Sequence, residues 1–174
     1  MLVSARVNLM LLLRRAFLLL ALLLTIPIGC YKIRDEIDKR GGIPRKLQQG
    51  WFYAEGACNR FLSYQGAYAI SLTDDTVKAL KEQGINFFSD INAPNNKAAD
   101  DYFRGDWKAT PIPKDFHSEG AVPNLYCGQE YSWLWPKGIV EALDRPGSYY
   151  LGTSRRNLYV IPDLGVVVAS GSDR

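Results

Sequence analysis

The chain has 174 residues, 47% hydrophobic and 12% aromatic, with 21 Lys and Arg, 18 Asp and Glu and a single His. Three of the basic residues, Arg6, Arg14 and Arg15, precede Cys30 with no acidic residue among them, so the remainder is neutral and carries no electrostatic footprint for nucleic acid. One histidine, and no C-x-x-C, G-x-S-x-G, P-loop or G-x-G-x-x-G, exclude a His-rich zinc site, dithiol redox chemistry, the nucleophile elbow and the common nucleotide cradles.

Ala16 to Gly29, AFLLLALLLTIPIG, is free of charge. At about 1.5 Å per residue such a helix reaches roughly 21 Å, short of a ~30 Å hydrocarbon core. A basic start, a short apolar run and a small-residue end have the form of an export signal. Ile28-Gly29-Cys30 resembles the bacterial lipobox, with Pro27 standing where that motif has leucine. The resemblance implies a lipid on the Cys30 thiol and a mature chain that starts there. Two alternatives stand beside it. One is a cleaved, soluble export signal. The other is an uncut single-pass anchor that recruits Leu9 to Leu13. Six basic residues follow the run (Lys32, Arg34, Lys39, Arg40, Arg45, Lys46) against three before it, which for an uncut anchor favours a cytoplasmic domain.

With Cys30 lipidated, Cys58 and Cys127 remain as an even pair, expected to bridge in an oxidising compartment. The domain plan is a signal or anchor over 1–29, a charged flexible tether over 30–50 and one globular domain over 51–174. The tether expectation rests on the alternating charges of YKIRDEIDKRGGIPRKLQQG and its few apolar residues.

Within the domain, Trp51-Phe52-Tyr53 opens a strand and Tyr68–Leu72 forms a second. Thr73 caps a helix with Asp74 and Asp75 in its first turn and Val77 and Leu80 inward; Gly84 ends it, with Ile85 packing back on Leu80. Ile85–Phe88 follows as a buried strand. From Ser89 to Val122 the pattern thins to a short helix near Asn95–Phe103 and a strand near Trp107–Thr110. Tyr131, Trp133 and Trp135 share one side if that stretch is extended. Pro136 starts a helix running to Leu143. Three strands close the chain, Tyr149–Thr153, Leu158–Ile161 and Val166–Ala169, the last two joined through Gly165 and apolar on both faces, so that each side must be covered. The expected class is α+β, a small, mainly antiparallel sheet of about five or more strands with two helices, behind an N-terminal signal or anchor helix. The closing LYVIPDLGVVVAS resembles the last strands of serine β-lactamase-like hydrolases; their S-x-x-K is nowhere in this chain, so no activity carries over.

Candidate chemistry is sparse. Asp115, His117, Ser118 and Glu119 place a histidine among carboxylates, a general-base arrangement whose alternative is a polar surface loop. Asp90, Asn92, Asn95, Asp100 and Asp101 offer oxygens, but Pro94 and Asn95 break the calcium-loop spacing, and no metal or cofactor is expected. Arg104-Gly105-Asp106 is too short a motif to weigh. Tyr131, Trp133 and Trp135 are the candidate binding aromatics. The function expected is a membrane-tethered bacterial envelope lipoprotein, held by an N-terminal lipid or helix, that serves as a binding or accessory module for a protein partner in the envelope. Its competitor is a small envelope hydrolase or lyase that uses His117 with Asp115 and Glu119.

Overall fold

The computed structural model describes residues 14, 15, 17, 25–27, 29–60, 63–89, 91, 106–114, 121–152 and 156–172. Most of the apolar leader therefore lies outside the described residues; among those described, no helix is long and apolar enough to cross a membrane. Residues 29–41 form helix α1, with Lys39 paired to Asp35 at 2.6 Å one turn away.

The chain divides into two compact units, Met1–Lys39 and Arg40–Arg174. The second is an α+β domain built on one antiparallel sheet of six strands: β1 (Gln49–Arg60), β2 (Ser63–Leu72), β3 (Lys108–Ala109), β4 (Tyr149–Gly152), β5 (Arg156–Ile161) and β6 (Val166–Ser172). Their order across the sheet is β1-β2-β6-β5-β4-β3. Helix α2 (Asp74–Gln83) and a 3-10 turn (Gly84–Phe88) lead from β2 towards the far edge, and α3 (Ala121–Tyr131) and α4 (Ile139–Leu143) intervene between β3 and β4. The hairpin Ile161↔Val166 closes through Gly165 at φ 62°, where a side chain would be strained.

Strands β5 and β6 sit in the middle of the sheet, which is why they are apolar on both faces. One face buries Ala54, Ala67, Ala69, Tyr159, Ile161 and Val168 against Leu125 of α3, Trp135, and Ile139 and Leu143 of α4. The other buries Ile70, Leu158, Val160 and Val167 against Leu80 of α2, Phe87, Phe88, Ile43 and Leu47. Helix α2 is capped as its sequence demands, the Thr73 hydroxyl accepting from the Thr76 N–H.

Several expectations are corrected. The stretch 31–50 is not bare of core residues: Ile43 and Leu47 are fully buried, held by a turn in which the Leu47 N–H donates to the Pro44 carbonyl. Arg40 ties the same segment to the irregular start of β1, donating to the carbonyls of Gly50, Trp51 and Phe52 at 2.9, 2.9 and 3.3 Å. Ile85–Phe88 is a 3-10 turn instead of a strand, because Phe87 and Phe88 both turn inward, Phe88 stacking on Trp107 at 4.0 Å, while Ile85 stays exposed instead of packing on Leu80. Helix α4 begins at Ile139, since Gly138 at φ 83° interrupts any helix started at Pro136. The short helix expected at Asn95–Phe103 lies outside the described residues.

Candidate functional site

Asp115, His117, Ser118 and Glu119 lie outside the described residues, as do Asp90, Asn92, Asn95, Asp100 and Asp101. Among the described residues, no three His, Cys, Asp or Glu side chains gather as metal ligands. Cys30 lies in α1 as an exposed free thiol.

Cys58 and Cys127 are joined, S–S 2.13 Å with Cα atoms 5.2 Å apart, across 69 residues of sequence. The bond staples α3 onto β1. Helix α3 is a poor autonomous helix: Pro123 is tolerated only because it falls in the first turn, and Gly128 weakens the middle. Both oddities have a packing use. A Cβ on Gly56 would stand 2.6 Å from the Cys127 carbonyl oxygen and 2.7 Å from the Gly128 Cα. On Gly128, a Cβ would stand 2.5 Å from the Trp135 indole. Gly56 thus lets the helix backbone lie directly on the strand, and Gly128 lets the indole of Trp135 close over the helix at that point.

This packing separates the expected aromatic trio. Tyr131 ends α3, and the Trp135 N–H donates to the Ser132 carbonyl in a turn, so the stretch is not extended. Trp135 is core, 8% exposed, whereas Trp133 is 92% exposed and does not share its side. Large exposed apolar groups nonetheless concentrate here: Tyr126, Tyr131, Trp133 and Leu134.

Beside the staple runs a half-open groove of about 620 Å³, lined by Ala57 and Cys58 of β1, Gln65 of β2, and Pro123, Tyr126, Cys127, Glu130 and Tyr131 of α3. Cys58 and Gln65 are register partners and so share one sheet face, which makes them the floor. The helix residues 123, 126, 127, 130 and 131 are linked by i,i+3 and i,i+4 spacings, which put them on one face of the helix, and make the wall. Among the described residues of this lining, Glu130 is the one charged side chain. Of this set the sequence singles out only Tyr131, Cys58 and Cys127; the helical spacing of Tyr126 and Glu130 is a usable signal once α3 is recognised. A smaller groove of about 180 Å³ lies at the opposite edge, along Asp106, Lys108, Tyr150, Leu151 and Gly152.

Behind α3, on the face it covers, the sheet holds buried polar groups. Asn157 is fully buried with neither amide atom hydrogen-bonded, and Asn124 of α3 leaves its Nδ2 unpaired. Burial pushes the neighbouring Tyr159 hydroxyl well above its usual range, with Ser170 opposing the shift. Comparisons of the chain with protein-family models, with curated proteins and with solved structures found no match.

Proposed function

We propose that the protein is a membrane-tethered component of a bacterial cell envelope, held by a lipid on Cys30 or by its uncut N-terminal helix, whose α+β domain works outside the cytoplasm as a binding or accessory module. The observation that carries this is the Cys58–Cys127 bridge, since structural disulfides of this kind persist in oxidising compartments and are rare in the cytosol. It weighs against the cytoplasmic placement that the basic residues after the apolar run favour. The exposed Tyr126, Tyr131, Trp133 and Leu134 beside the bridge suit contact with an envelope partner.

An intact mass of the protein from the membrane fraction, taken before and after reduction, tests the proposal. A chain starting at Cys30 with added acyl groups, gaining two hydrogens on reduction, supports the lipid form. A full-length chain with the same gain supports the uncut anchor. Three free thiols in the native protein overturn the extracytoplasmic placement.

A further inference from the structure

We propose that the groove beside the Cys58–Cys127 bridge is a binding site for a neutral saccharide. The proposal takes its setting from the envelope placement above and names the ligand class of the module. Its volume of about 620 Å³ lies in the range of small-ligand sites. Among the described residues no Lys or Arg lines it, so phosphates, nucleotides and anionic headgroups find no counter-charge there, and Glu130 repels them. Its half-open form and its Gln65 and Glu130 heads give no dry sleeve for an acyl chain.

What the lining offers is the combination a sugar ring needs. Tyr126 and Tyr131, 51% and 60% exposed, present rings whose faces can take the C–H side of a pyranose. Gln65 supplies a donor and an acceptor, and the Glu130 carboxylate accepts from vicinal hydroxyls. The floor is fixed by the disulfide and the β1–β2 register, so little ordering cost falls on binding. A peptide added as a strand would instead use the backbone of β1, at the border of the sheet, and would not depend on the tyrosine rings.

The test is calorimetry and intrinsic fluorescence on the full-length protein in detergent micelles, titrated with neutral chito-, cello- and malto-tetraose. At least one probe is expected to bind, with affinity falling about tenfold in Tyr126→Ala and in Tyr131→Ala, the size of a lost ring contact. Tyr126→Phe keeps most of the affinity, because the ring remains. Trp51→Ala, at an exposed position seven residues from Cys58 along β1, leaves it unchanged. Both tyrosines are half exposed, so the unfolding midpoint of each variant is expected to stay at the wild-type value, which separates lost binding from lost fold. No binding by any of the three probes, or binding indifferent to both alanine variants, overturns the proposal. Neither result touches the mass measurement: a lipidated chain that binds no sugar removes the ligand class alone, whereas three free thiols remove the placement, and sugar binding by that chain would show the groove to form without the bridge.

Discussion

Cutting the Cys58–Cys127 bridge is expected to cost this fold about 4 kcal/mol, because the bond spans 69 residues and the chain-entropy account scales with the logarithm of the loop it closes. At about 2 cal/mol/K of unfolding entropy per residue over Arg40–Arg174, that loss lowers Tm by about 15 °C. Two perturbations separate the cross-link from the packing of its sulfurs. Reduced wild-type protein keeps both sulfurs and loses only the tie, whereas Cys58→Ala/Cys127→Ala also empties the buried Cys127 site and is expected to fall about 1 kcal/mol further. Thermal unfolding followed by far-UV circular dichroism is the assay, on full-length protein in detergent with the thiol count checked by mass. Helix α3, with Pro123 and Gly128 in its sequence, is the element expected to lose signal first. A shift under about 3 °C on reduction would refute the reasoning, since the loop-closure account then overstates the bridge several-fold. A large loss in the double variant alone would assign the effect to sulfur packing.

Three further outcomes follow from the same packing. Gly56→Ala is expected to destabilise by about 1–3 kcal/mol in urea unfolding, because its methyl group would meet backbone atoms of Cys127 and Gly128 that no side-chain rotation can move; an unchanged midpoint would mean the helix does not lie on the strand as described. Asn157→Leu is expected to stabilise by about 1–2 kcal/mol, since it replaces a buried, unpaired amide with an apolar group of the same branched shape; a loss of stability in both this variant and the smaller Asn157→Ala would show the amide to be engaged. Tyr159 keeps its proton in the folded state above the pH at which the unfolded chain, at the ordinary value of 10.0, gives its proton up. Stability is therefore level with respect to this group below pH 10 and declines above it, and Tyr159→Phe is expected to flatten that alkaline decline in pH-jump unfolding.

How legible the chain was depends on whether local and tertiary demands agreed. They agree at Thr73–Gln83, where cap, first-turn carboxylates and inward Leu80 all specify one helix, and at β5 and β6, whose two apolar faces require the cover that α2, α3 and α4 supply. They conflict in α3. Pro123 and Gly128 lower its intrinsic propensity, so a reader of periodicity breaks the chain there, yet the first demands no hydrogen bond and the second makes room for Trp135. Ile43 and Leu47 were hidden for a related reason: two buried residues in a charged stretch make no period, and only the turn at Pro44 aims both into the core.

The groove follows from that same conflict. Where Gly56 lets the backbone of α3 come directly onto β1, no larger side chain fits at that contact, so the larger residues of α3 flank it instead of filling it. Tyr126, Glu130 and Tyr131 accordingly line the rim of the groove, whose floor holds Cys58 and Gln65. The close approach and the open rim are one arrangement. A methyl group at Gly56 that pushes α3 outward would widen the groove as well as weaken the fold, so Gly56→Ala is expected to reduce saccharide affinity more than its loss of folded protein accounts for. Calorimetric stoichiometry, which counts the folded fraction separately from the affinity of each site, decides between the two: an affinity unchanged in the molecules that remain folded would show that the rim does not depend on the glycine contact.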